Sequence, residues 1–165
     1  MKHYHHLVNQ VDEITVVIKQ YVLERFEREY NLLIELPGVS AIVACVILSE
    51  IGPNVEAFQS QGNLASWAGV CPGSYESAGI KKSSHTTQGN KYLKSSLFQA
   101  GGIAGRSKDE AFHNLYARIS GRSSKMKAII ACAHKMIRVI YKILSTGEHY
   151  DTKKALGLRQ QARAI

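Results

Sequence analysis

Three cysteines in 165 residues, Cys45, Cys71 and Cys132, show no CxxC spacing, so neither a disulfide framework nor a zinc site is indicated. They fit a reduced, cytoplasmic chain. Long apolar runs are also missing: the longest, Ala41 to Leu48, falls well short of the ~20 residues a bilayer span needs. The polar opening, Met1 to Leu7, has no signal-peptide core, and its three histidines read as a frayed end. No stretch alternates apolar and polar residues over a strand's length, which leaves an all-α reading. Charge of one sign is absent where it tells most. Residues 37–78 contain no Lys or Arg at all.

The bases lie downstream. The chain carries a net charge of +8, and residues 79–142 hold thirteen Lys and Arg against only Asp109 and Glu110. An acid-poor stretch of this kind is an electrostatic footprint for a polyanion, most simply nucleic acid. A solvated basic face has the same composition, so charge alone does not decide between them. With 45% hydrophobic residues, the length suits one globular domain and an extra element.

Leu7, Val11, Ile14, Ile18 and Tyr21 step by four and three, the seam of a heptad pattern. A helix is expected from about residue 5 to 34. An ordinary amphipathic helix folded on its own core has the same pattern. Self-association as a homodimer is favoured, because no second long helix lies nearby in sequence. Leu36-Pro-Gly-Val-Ser40 then opens a helix from Ala41 to Glu50, stopped at Gly52-Pro53. An apolar residue, Pro-Gly, an apolar and a small residue resemble the turn of helix-hairpin-helix DNA-binding modules. There Gly38 and Ser40 would turn free amides toward phosphate. A plain packing corner looks the same.

Further helices are expected at 54–58, 63–68, 90–105, 109–119 and 124–144, with Trp67 as a core anchor. Gly101-Gly102 marks a place where another backbone or a ligand comes close. In the last helix Ile129, Ile130, Ala133, Ile137, Ile140, Tyr141 and Leu144 form the apolar side. Lys127, His134, Lys135, Arg138 and Lys142 form a side suited to phosphate. The residues after Gly147 are expected to be a mobile tail.

The segment from Gly69 to Leu93 draws most interest. It sets serines beside lysines and a histidine among glycines, a composition suited to close approach by phosphate. Candidate contacts are Lys81, Lys82, Ser83 and His85, then Asn90, Lys91 and Lys94, with Arg122, Lys127, Lys135 and Arg138 further on. Gly79 and Gly89 would permit the backbone to come close, although both also suit simple turns.

Leu36-Pro-Gly-Val-Ser, Ala68-Gly-Val-Cys-Pro-Gly, Glu76-Ser-Ala-Gly79, Lys82-Ser83, Gly89-Asn-Lys-Tyr-Leu93, Ala128-Ile-Ile-Ala-Cys-Ala-His-Lys135 and Tyr150-Asp151 occur in order. Together they resemble the C-terminal domain of the insertion-sequence one-ten transposases, relatives of the Piv-type DNA invertases, over roughly residues 34–152. The resemblance implies DNA transposition or site-specific recombination, with DNA and a structured guide RNA as partners. It implies that Ser77 is the nucleophile, with Ser83 and Ser84 as alternatives. A serine hydroxyl needs a base or metal to activate it. Lys81, Lys82 and His85 would meet part of the phosphate charge. The family's four acidic metal ligands lie in an RNase H-like domain that this sequence lacks, so Mg²⁺ is expected through that domain and no metal is assigned here. Lys94 stands where the family usually shows arginine, and Thr87-Gln88 replaces a commonly basic pair.

These readings divide the chain into an oligomerisation helix at 1–34, the transposase domain at 35–146 and a basic tail at 147–165. Two other classes are open: a non-catalytic helix-hairpin-helix DNA-binding module, and a helical oligomerisation module with incidental charge.

Overall fold

The computed structural model describes residues 1–71, 75–77, 80–83 and 86–157, the strand residues through their backbone alone. Helix α1 (Lys2–Ile34) starts at Lys2, before the expected position near residue 5, so the histidines stand on helix. Its heptad seam faces solvent: Leu7, Val11, Ile14, Ile18 and Tyr21 are 47 to 62% exposed. The first buried residue is Val22, and the helix bends at Phe26, where φ is −137° and ψ is 34°. Val22, Phe26, Tyr30 and Leu33 then enter the core along a different stripe. Helix α1 therefore has two apolar faces, one packed and one open.

The turn at Pro37-Gly38 leads into α2 (Ala41–Ile51). Ser40 caps this helix by accepting the amide of Val43 at 3.3 Å. Val43, Ala44, Cys45, Ile47 and Leu48 are buried, and Gly52 (φ 85°) with Pro53 ends the helix. The expected helix at 54–58 is instead a turn, closed by the Phe58 amide on the Val55 carbonyl. The Asn54 side chain accepts the Glu56 amide at 3.4 Å, a local bond that competes with helix in a segment too short to nucleate one.

Helix α3 (Gln61–Trp67) follows, then a two-stranded antiparallel ribbon, β1 (Tyr75–Ser77) and β2 (Ile80–Ser83). These strands are too short for alternation to be legible in the sequence. The architecture is otherwise helical, as expected. Trp67 is not a core anchor. It is 40% exposed at the end of α3, its ring tilted on Phe58 at 5.4 Å, because buried Leu64, Ala65 and Ala68 fill the inner side.

Helices α4 (Lys91–Ala104), α5 (Glu110–Ser120) and α6 (Lys125–Thr146) complete the domain. Helix α6 runs through the centre, with Ala128, Cys132, Ala133, Met136, Ile137, Val139, Ile140, Ile143 and Leu144 buried between α3, α4, α5 and α1. Gly101 makes the α4–α6 crossing possible. A Cβ there would stand 2.8 Å from the Ala133 nitrogen, well inside contact distance. The close approach expected at Gly101-Gly102 is thus made by α6.

Residues after Gly147 are packed, not loose, through the short helix α7 (Thr152–Gly157). His149 and the Tyr150 amide bond the Glu35 carboxylate at 2.7 and 3.1 Å. The Tyr150 and Thr152 hydroxyls both donate to Asp109, and Ala155 is buried. Three attachments hold a segment whose polar composition alone reads as tail. Residues 158–165 lie outside the described residues.

Candidate nucleic-acid site

The Ser77 segment leaves the helical core through a narrow neck. Gly69 (φ 72°) and Gly89 (φ 54°) lie back to back: a Cβ on Gly69 would be 2.6 Å from the Gln88 carbonyl oxygen, and one on Gly89 would overlap the backbone of Gly69. Only glycine tolerates both the left-handed backbone and that contact. The Asn90 amide donates to the Trp67 carbonyl at 3.0 Å, joining the outgoing and returning chain. Beyond the neck the ribbon pairs Tyr75 with Ser83, Glu76 with Lys81 and Ser77 with Ile80, with a register shift between Tyr75 and Glu76. Ser77 is the last residue of β1. Lys81, Lys82 and Ser83 follow it on β2, so the candidate nucleophile and three candidate phosphate contacts share one ribbon. His85, Ser84 and Gly79 lie outside the described residues.

Cations continue on the return side. Lys94 donates to the Thr87 carbonyl at 2.6 Å and lies over the Phe98 ring, while Lys91 is exposed over the Tyr92 ring at 4.8 Å. Arg138, on α6, donates to Gln61 at 3.2 Å. It also acts on Cys71, whose thiol is pushed up by burial and drawn partly back by this guanidinium. Arg138 therefore stands beneath the start of the Ser77 segment, half-buried and already engaged by α3.

Several expected contacts are spent on the fold. Gly38 has its Cα pressed on α4, where a Cβ would overlap the Ala100 carbonyl and lie 2.9 Å from the Ala104 nitrogen. Ser40 is the α2 cap. The turn from Gly38 to Ser40 is thus packed as a corner between α2 and α4. Asn90 caps α4, its side-chain oxygen accepting the amides of Tyr92 and Leu93 at 3.0 Å. Lys135 donates to the Ala111 carbonyl at 2.8 Å, and its ammonium is held below the ordinary lysine value, first by burial. His134 is likewise pushed below its ordinary value by burial and then by Arg138. The expected phosphate side of α6 is therefore half closed, and of its five residues only Lys127 and Lys142 are exposed.

A separate basic corner lies at the other end of α4. Gly105 packs on Tyr116 of α5, and Gly102 on Ile129 of α6, which brings together the end of α4, the end of α5 and the start of α6. Arg106, Arg122, Lys125 and Lys127 are exposed there, beside exposed Ile103 and Met126. Among the described residues none of these four bases takes part in an ion pair. Arg122 and Lys127 were legible in the sequence. Lys125 was missed, although its place in the same helical turn as Lys127 was a usable signal. Glu50 was missed too: its carboxylate accepts the Asn90 side-chain N–H at 2.5 Å and ties the neck to α2. An acid in a stretch devoid of Lys and Arg was the available sign.

Among the described residues no helix is long and apolar enough to cross a membrane. No three His, Cys, Asp or Glu side chains among them converge to hold a metal ion.

A family model described as Transposase IS116/IS110/IS902 family matches residues 30–117, from the core end of α1 into α5. A pilin gene-inverting protein of Moraxella bovis is 31% identical over 127 residues, covering 74% of this chain and 39% of that protein. The pilin gene-inverting protein of Moraxella lacunata matches to the same extent. An insertion element IS110 protein of 43.6 kDa from Streptomyces coelicolor is 28% identical over 133 residues, 79% of this chain and 32% of that protein. The chain thus spans well under half the length of these curated relatives.

Proposed function

Because the chain belongs to the IS116/IS110/IS902 transposase family, we propose that it is the serine-bearing, nucleic-acid-engaging part of a transposase or site-specific recombinase. The observation that carries this reading is the ribbon itself. Ser77 and the Lys81-Lys82-Ser83 run stand on one two-stranded projection, rooted by the Gly69–Gly89 neck within the family match.

In this reading the Ser77 oxygen attacks a DNA phosphodiester. A serine–phosphate bond forms, the bond to one deoxyribose oxygen breaks, and that oxygen leaves as a hydroxyl once protonated. Rejoining reverses the step with another DNA hydroxyl. Lys81 and Lys82 meet the negative charge that builds on phosphorus, and a backbone-directed cation such as exposed Lys91 holds the strand. Mg²⁺ belongs to an acidic domain additional to this chain, and a structured guide RNA would choose the sites. The exposed seam of α1 joins a second copy as a homodimer, since its heptad spacing is unused by the core.

The test uses the longest protein encoded at this locus with its cognate DNA, RNA and Mg²⁺. A denaturant-resistant protein–DNA adduct is expected in the parent and in Ser83→Ala, and is lost in Ser77→Ala. An adduct that persists in Ser77→Ala moves the chemistry to another residue. Salt-sensitive binding without any adduct would favour a binding module.

A further inference from the structure

We propose that Glu50 and Asn90 are positioning residues that fix where the Ser77 ribbon leaves the helical core. The proposal rests on the reading of that ribbon as the element facing nucleic acid. Asn90 makes more bonds than its capping role requires. Its side-chain oxygen accepts the amides of Tyr92 and Leu93, its backbone amide donates to Trp67 of α3, and its side-chain N–H donates to Glu50 of α2 at 2.5 Å. One residue thereby joins α2, α3 and α4 at the root of the ribbon.

The choice of residue is informative. Serine, threonine and aspartate cap a helix about as well as asparagine, but none of them can cap and also donate from a side-chain N–H. Asparagine meets a demand set by the Glu50 carboxylate, which lies in a cation-free stretch and has no ion pair among the described residues. A charge-assisted bond between half-buried groups is stronger than a neutral one. The Gly69–Gly89 contact prevents the two chains of the neck from sliding past each other. Glu50 then fixes their direction relative to α2. Chemistry at phosphorus is sensitive to displacements on the order of 1 Å, so the direction of the root matters at the tip.

Exchange of donor and acceptor tests this with the full 165-residue chain. Asn90→Asp keeps the α4 cap but sets two carboxylates face to face. Adding Glu50→Gln restores the bond with its polarity reversed. Binding of a short mixed-sequence DNA duplex should weaken about tenfold in Asn90→Asp and return to within about twofold of the parent in the double variant. Amide exchange in β1 and β2 should accelerate in Asn90→Asp, more than in α6, and slow again in the double variant. A purely structural role would lower the thermal midpoint while ribbon exchange and the affinity of folded protein match the parent, and that result overturns the proposal. Should Asn90→Asp fail to fold, Glu50→Gln alone decides it through a smaller change in the same direction in both readouts. A parent that does not bind duplex DNA defeats the functional reading, and ribbon exchange then judges the clamp by itself.

Discussion

The Tyr150 hydroxyl donates to the Asp109 carboxylate at 2.9 Å, and the Thr152 hydroxyl donates to the same oxygen at 2.8 Å. The other Asp109 oxygen caps α5 through the Phe112 amide at 3.1 Å. One carboxylate therefore starts a helix and fastens the end of the described chain. Burial, together with this acceptor, pushes the Tyr150 hydroxyl well above its ordinary value, so it remains a donor.

Asp109→Ala should remove the cap and both hydroxyl bonds, lowering the unfolding free energy by about 2 to 4 kcal/mol. Asp109→Asn retains the cap and should lose less. Chemical denaturation of the two variants beside the parent measures the difference.

Gly38→Ala should destabilise the fold by about 2 kcal/mol or more, since it demands both a left-handed backbone and overlap with α4. If Gly38 instead served phosphate, stability would hold and binding alone would suffer. Denaturation and duplex affinity of the folded fraction, measured on one preparation, separate the two.

Replacing Arg122, Lys125 and Lys127 with Ala should leave the thermal midpoint within about 2 °C of the parent, because these side chains are exposed and make no ion pair among the described residues. The slope of log affinity against log salt should become shallower by roughly 0.9 for each phosphate no longer neutralised. An unchanged slope would mark this corner as solvated surface.

Hydrogen bonding by His149, and then by the Tyr150 amide, holds the Glu35 carboxyl below its ordinary value of 4.5. A depressed carboxyl stabilises the fold above its unfolded value and loses that contribution as pH falls through the folded one. The part of the stability difference between parent and His149→Ala that comes from Glu35 should therefore shrink as the pH falls below 4.5. The pair is largely exposed, so the difference should stay within about 1 kcal/mol. Denaturation curves across the acid range provide the check.

Val11→Asp with Ile18→Asp places charge on the open seam of α1 and should convert a dimer to a monomer without loss of helical signal from the core. Sedimentation of parent and variant at several concentrations tests it. A parent that is already monomeric removes the oligomer from the functional reading.

The positions of α2, α4, α5 and α6 were legible because their end signals are local. Asn90, Asp109 and Ser124 cap α4, α5 and α6 through bonds two or three residues away, and Gly147 closes α6 in the left-handed conformation. Of the seven residues read as the apolar side of α6, Ala133, Ile137, Ile140 and Leu144 are buried, while Ile129, Ile130 and Tyr141 are half-exposed. Apart from the short helix expected at 54–58, which a local bond replaces, what the sequence left open turns on remote partners. Gly38 has the same sequence context whether it faces phosphate or α4, and Lys135 reads as a surface cation until the carbonyl of Ala111, 24 residues away, accepts its N–H. Trp67 carries a large apolar ring, yet smaller Leu64 and Ala65 occupy the inner side of its helix.

The candidate site divides along the same line. Sequence by itself determined the helical class and the concentration of bases after residue 79, because composition and period need no partner. Tertiary structure alone decided which bases remain open, that Gly69 and Gly89 close a neck, and that Glu50 reaches Asn90 across 40 residues. Those outcomes depend on which surfaces are left after the core has packed, and packing joins residues that no local pattern connects.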